Sequence, residues 1–164
     1  MHKPDVICLL ETKVDANVTA LGFMQRFGFD KKSKVNSQGR AGGHWLFWKT
    51  SSICLEVLLT NNQFIHCSLT NQHVSFTITS AYIQPHGELK NLFWENIATL
   101  VSGITRNWIV MGGFNDIASI DETSPKAIGR FARAQRFRDR LNDCGFHSKD
   151  SPGCAFTWIR KTNG

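Results

Sequence analysis

The stretch "NWIVMGGFNDI", Asn107 to Ile117, decides the fold and poses the functional question. Its first half is an apolar run of strand formers, and it stops at a glycine pair followed by Asn and Asp, residues that tolerate the dihedrals of turns. A buried strand ending this way is either an ordinary strand-to-loop turn or the lip of an active site. Immediately upstream, between Glu88 and Ile104, Leu89, Leu92, Phe93, Ile97, Leu100, Val101 and Ile104 recur at helical spacing, which predicts an amphipathic helix after the turn "QPHG". Working outward, "DVICLLE", "HWLFWK", "CLEVLL", "FIHCSL" and "VSFTITSAYI" read as strands. In the last of these Val74, Phe76 and Ile78 alternate with Ser75, Thr77 and Thr79, so one face of its sheet is less apolar than the other. "LGFMQRFGF" predicts a short helix ending near Gly28, and "DKKSKVNSQGRAGG" a basic loop. Downstream, Phe131, Ala134, Phe137 and Leu141 set another helix stopped by Gly145, and "AFTWIR" predicts a last strand. Hairpin-like strands mixed with crossover helices point to an α/β or α+β sandwich, with sheet inside and helices outside.

Composition sets the outer bounds. A chain of 164 residues, 41% hydrophobic with five Trp and twelve Phe, suits one packed domain, 1–164. Its longest apolar runs, "VICLL" and "WIVM", fall far short of the roughly 20 residues of a membrane helix. The start "MHKPDVICLLET" lacks the roughly 7–15-residue apolar core of a signal peptide, so an intracellular location is expected, nuclear or cytosolic. The sequon Asn17-Val18-Thr19 would then be a polar turn. Cys8, Cys54, Cys67, Cys144 and Cys154 are odd in number and have no zinc-finger spacing, so they are expected to be reduced, mostly buried thiols. A formal net charge of +6, from 19 Lys and Arg against 13 Asp and Glu, favours a polyanion such as DNA as partner. No motif for a small-molecule cofactor is present.

Six segments, "PDVICLLETKV", "GGHWLFWK", "SAYIQP", "WIVMGGFNDI", "FRDRLNDCGF" and "AFTWIR", stand in the order in which they resemble the endonuclease/exonuclease/phosphatase superfamily. The resemblance is closest to the endonuclease domain of plant LINE-type (non-LTR) retrotransposons. It implies a four-layer α/β/β/α sandwich of the DNase I-like type and Mg²⁺-dependent hydrolysis of phosphodiester or phosphomonoester bonds. Domains of this family open with an Asn-bearing strand upstream of the "LLET" segment and close with a Ser-Asp-His segment beyond the "FTW" strand. Neither is found in this sequence, so the resemblance implies a partial sandwich, one incomplete domain over 1–164.

Carried over residue by residue, Glu11 of "LLET" matches the family's metal-binding carboxylate, and Tyr82 of "SAYIQP", the chain's one tyrosine, matches a Tyr that reaches the scissile phosphate. Read without the resemblance, Glu11 is a solvated strand end and Tyr82 an amphipathic ring at the end of a sheet. The family motif Gly-Asp-Phe-Asn falls on Gly112 to Asn115. Asn115 is retained as a vestige of the site, whereas Gly113 occupies the position of the Asp and can neither take a proton nor neutralise a metal's charge. Side chains alternate along a strand, so if the strand persists that far Asp116 faces away from 113 and 115, and it reads as a turn or capping carboxylate. Arg133, Arg136 and Arg140, with Arg130 near the helix start, form a basic face that would bind nucleic-acid phosphates or would simply be solvated, with Asp139 and Asp143 partly balancing it. The expectation is therefore a catalytically impaired relative of a retrotransposon endonuclease, with weak or absent Mg²⁺ binding. The alternatives are a non-catalytic nucleic-acid-binding module and a retroelement remnant without selected function.

Overall fold

Alternation of side chains lets a strand bury one face against a second sheet and the other against a helix, and the computed structural model uses both faces of its central strands. It describes residues 3–13, 20–38, 41–85, 87–105, 107–122 and 129–148. These fall in two compact units, Met1–Asn115 and Asp116–Gly164. The first unit contains β1 (Val6–Leu10), α1 (Ala20–Gln25), β2 (Lys31–Gln38), β3 (Ala41–Trp48), β4 (Cys54–Thr60), β5 (Phe64–Thr70), β6 (Ser75–Tyr82), α2 (Gly87–Val101) and β7 (Trp108–Gly113). The second contains a 3₁₀ turn, Ile120–Glu122, and α3 (Arg130–Asp143).

Strands β1, β3 and β2 form one antiparallel sheet in that order, and β4, β5, β6 and β7 form the other. β6 and β7 run parallel, with α2 as their crossover, so the ends of both strands emerge at the same rim. Leu46, Trp48, Ile53, Ile65, Cys67, Leu69 and Ile78 fill the space between the sheets, joined by Val6, Cys8 and Val35. On the outer face of the first sheet, Trp45 and Phe47 pack with Met24 of α1 and with Phe29. On the outer face of the second, Phe93 and Ile97 of α2 are fully buried, and the Phe93 ring meets Phe64 edge to face at 6.1 Å. The first unit thus has the four layers expected of the sandwich.

Several details differ from the sequence reading. The basic stretch after Phe29 is not a loop: Lys31 to Gln38 pair with β3 as an edge strand. Its single apolar residue facing the other sheet, Val35, hid the strand, and its lysines suit an edge that must resist pairing with other chains. The less apolar face of β6 is buried nonetheless. Thr79 is fully buried because its hydroxyl is satisfied by His66 Nδ1 at 2.7 Å and by the indole Nε1–H of Trp108 at 2.8 Å. On α2 the buried stripe is rotated: Leu92 is exposed, whereas Trp94 is buried and stacks on Phe114. On α3 Ala134 and Phe137 are buried but Phe131 is exposed. The helix ends as expected, with Gly145 left-handed (φ 68°) and the amides of Gly145 and Phe146 bonded back to Asn142 and Leu141. Cys67 is a buried thiol as expected, but Cys54 is exposed. "AFTWIR" and Cys154 lie outside the described residues. Among those residues no helix is long and apolar enough to cross a membrane.

Candidate active site

Three strand ends converge at one rim of the sandwich. β1 delivers Glu11, β6 ends on Tyr82, and β7 ends on Gly113 with Asn115 following. The register pairs Tyr82 with Gly113, and the amide of Ile83 then bonds the carbonyl of Gly113 at 2.8 Å, which locks the two strand ends together. Glu11 is fixed by the segment beyond it: the amides of Thr12 and Lys13 bond the carbonyls of Gly43 and Gly42 at 3.1 and 3.4 Å. Gly42, left-handed at φ 73°, lies under the phenol ring, where an added Cβ would sit 3.7 Å from Tyr82.

The side chains meet. Tyr82 donates its hydroxyl hydrogen to the Glu11 carboxylate and accepts from the Asn115 amide. The Asn115 amide also donates to the carbonyl of Ile83 at 2.8 Å, and Lys90 from the first turn of α2 donates to the Asn115 carbonyl at 2.6 Å. Lys13 pairs with Glu11 at 3.5 Å, both side chains about half exposed. Burial, and then the neighbouring Glu11 charge, raise the Tyr82 phenol above its usual value, so it remains a hydrogen-bond donor throughout the neutral range. Glu11 and Asn115 both hold left-handed backbone, at φ 52° and 48°. For non-glycine residues this conformation costs about 1–3 kcal/mol and tends to be kept where a side chain must be aimed, although Asn tolerates it better than Glu.

Gly112 and Gly113 differ in kind. At Gly112, φ is 141° and an added Cβ would lie 1.9 Å from the carbonyl oxygen of Ala81, so the backbone demands glycine there. At Gly113 the backbone is not left-handed, and an added Cβ would make ordinary contacts, 3.5 Å to the Tyr82 ring and 3.7 Å to Leu10. Position 113 therefore has room for a side chain beside Tyr82 and lacks one. Phe114 turns to Trp94, and Asn115, beyond the end of β7 and left-handed, reaches Tyr82 through this local turn and not through strand alternation.

The structure thus brings Glu11, Tyr82, Gly113 and Asn115 together. The sequence reading gave no role to Lys13 or Gly42, although both lie in segments that resemble the family, or to Lys90, because each meets the site only through tertiary proximity. In the second unit the Asp116 carboxylate, mostly buried, is paired with Arg133 Nε at 2.5 Å. Arg138 donates to the Ala118 carbonyl at 2.7 Å, so two arginines of α3 hold the segment that precedes it. Of the other basic residues, Arg136 is exposed, and Arg130 and Arg140 are half-buried.

The Mg²⁺ implied by the resemblance requires hard oxygen donors, commonly one or two carboxylates with water and substrate phosphate. At the rim Glu11 is the one carboxylate these contacts reveal, and it is engaged by Lys13 and Tyr82. No group of three or more His, Cys, Asp or Glu able to hold a metal occurs among the described residues. This donor set fits a divalent cation poorly. What it offers chemically is a protonated phenol, an amide and two ammonium groups, suited to hydrogen-bonding an anionic ester.

No curated protein matches the sequence significantly. Among solved structures, an AP endonuclease from Archaeoglobus fulgidus superposes with a TM-score of 0.61 at 17% identity, over 87% of this chain and 61% of that one. The 3′ phosphatase NExo from Neisseria, bound to a product DNA hairpin, gives 0.61 at 16% identity over 85% and 61%. The endonuclease domain of TRAS1, a telomere-specific non-LTR retrotransposon, gives 0.56 at 16% identity over 71% and 53%. At these identities the likeness is one of fold, and the chain spans at most about three fifths of the length of these structures. The model of the endonuclease/exonuclease/phosphatase family matches residues 1–164, and with the layered sandwich and the motif residues gathered at its rim, the chain belongs to that family.

Proposed function

We propose that this chain is a relative of the retrotransposon-type DNA endonucleases that keeps the frame of a phosphodiesterase site but has lost efficient hydrolysis. The observation that carries this reading is Gly113, where the backbone accepts a side chain and the rim has space for one, yet none is present. Enzymes of this family are generally metal-dependent, and loss of one acid–base group typically costs about 10²–10⁴ in rate. NExo, solved with its product DNA hairpin, and TRAS1, a retrotransposon endonuclease domain, make DNA the substrate class to test.

The experiment is conversion of supercoiled to open-circular plasmid by the purified chain with Mg²⁺ or Mn²⁺, with and without chelator. The expected rate is no higher than that of Glu11→Gln. Chelator-sensitive nicking abolished by Glu11→Gln would show an active nuclease and overturn the reading. Gly113→Asp alone is expected to recover little, because groups that act as a unit are strongly non-additive. Its restored carboxylate would join a Glu11 already held by Lys13 and Tyr82.

A further inference from the structure

The positive charge of this protein is not spread evenly. Residues 20–50, covering α1, β2 and β3, contain Arg26, Lys31, Lys32, Lys34, Arg40 and Lys49 against the single acid Asp30, a surplus of five within a chain whose total is +6. Asp30 is itself occupied, accepting from the amide and hydroxyl of Thr50. The register then places two of these cations. Lys32 pairs with Phe47 and Lys34 with Trp45, and paired residues of an antiparallel ladder point to the same side of the sheet. Phe47 and Trp45 face α1, so Lys32 and Lys34 share the outer, α1-bearing face of the first sheet.

The same face displays aromatic surface. Phe23 and Phe27 are each 58% exposed and meet edge to face at 5.2 Å, with Arg26 between them in sequence. A core would bury these rings, and Met24, their neighbour, is indeed buried against Trp45 and Phe47. Lys49 lies over the Phe29 ring at 4.8 Å, so cation and aromatic groups already associate at the base of this surface.

We propose that this outer face is a binding surface for single-stranded nucleic acid, separate from the rim that carries Glu11, Tyr82 and Asn115. Lys32 and Lys34 stand two residues apart on a strand, about 7 Å along it, and can follow an extended phosphate backbone. Exposed phenyl rings provide stacking surfaces that any base can use, and the combination of cations with such rings is what sequence-tolerant single-strand binding needs. An anionic membrane would be attracted by the same charge, but α1 is only six residues long and offers too little amphipathic helix to lie in a bilayer interface.

The test is fluorescence anisotropy of a labelled single-stranded DNA oligonucleotide of mixed sequence, titrated with the full chain in chelator at several salt concentrations. Lys32→Glu with Lys34→Glu should weaken binding about tenfold or more and make the log–log salt slope shallower by about 1.4, the increment for two phosphate contacts on a single strand. Phe23→Ala with Phe27→Ala should weaken it about tenfold with the slope unchanged, and Phe23→Leu with Phe27→Leu, which keeps apolar bulk without rings, should do the same. Glu11→Gln with Tyr82→Phe, which alters the rim's own hydrogen-bonding groups, should weaken binding far less than either outer pair and leave the salt slope unchanged. No cleavage is read, so the result is independent of whether the rim is active. Binding that follows only the rim variants, or that neither outer pair moves, overturns the proposal. So does binding of phosphatidylserine vesicles, lost in the outer variants, without oligonucleotide binding.

Discussion

The interior of the sandwich and its rim are adjacent, yet different physics sets their residues. In the interior every position answers to packing: Phe64, Ile65, Cys67 and Ile78 are all but inaccessible, and even Thr79 is admitted only because two donors or acceptors meet its hydroxyl. At the rim the positions answer to polar contacts between strand ends. Tyr82, which serves both, keeps its ring buried and its hydroxyl bonded. Gly113, which packing does not constrain, carries no side chain at all. The contrast teaches that packed positions hold the fold while an open rim position can go without a side chain, because its absence there creates no cavity and strands no partner.

The largest effect should come where the two regions touch. Gly112→Ala would drive a Cβ to within 1.9 Å of the Ala81 carbonyl at a φ that suits glycine alone. It is expected to destabilise by about 3 kcal/mol or more, read as a lowered midpoint in denaturant or heat. A loss below about 1 kcal/mol would mean that β6 and β7 separate easily and that the rim is not rigidly held.

Next is acid. His44, on the inward side of β3 opposite Leu10, is fully buried, and neither ring nitrogen has a hydrogen-bond partner. Burial pushes its pKa down from 6.5 to about 4, and burial also lowers that of His66. A lowered folded-state pKa means that the unfolded chain binds the proton first. Stability is therefore full above pH 6.5 and is lost as pH falls from about 6.5 to about 4, by about 3 kcal/mol for His44. Unfolding curves at a series of pH values in this window should show the decline, and His44→Leu should flatten it. A decline confined below pH 4 would assign acid sensitivity to carboxylates instead.

The smallest effect is the most diagnostic for the rim. Gly113→Ala should be neutral or stabilising by up to about 1 kcal/mol, since its Cβ finds ordinary contacts and the unfolded chain loses freedom. Destabilisation by more than about 1 kcal/mol would show that the fold itself requires glycine there, and the distinction from Gly112 would collapse.

Part of this could be read without coordinates. The strands with alternating or continuous apolar residues, β1 and β3 to β7, and the crossover helix α2 were legible because their periodicity is fixed by burial. Strand β2 was not, since Lys32, Lys34 and their polar neighbours carry no burial signal and the strand exists by pairing with β3. The same limit applied to the exposure of Leu92 and the burial of Trp94, because helical spacing defines a stripe but not which way a neighbouring sheet rotates it.

By itself, the sequence determined that Glu11, Tyr82 and Gly113 stand at or next to strand ends and that position 113 is glycine, because residue identity and apolar strand-forming runs are local properties. Only the tertiary structure decided that these ends share one rim, that Lys13 and Lys90 attend it, and that Gly112 is obligatory while Gly113 is not. The reason is physical. Convergence follows from the parallel pairing of β6 with β7 and the packing of one sheet on the other, and the demand for glycine follows from how closely a neighbouring carbonyl approaches. Those are distances between segments far apart in the chain, which no local pattern encodes.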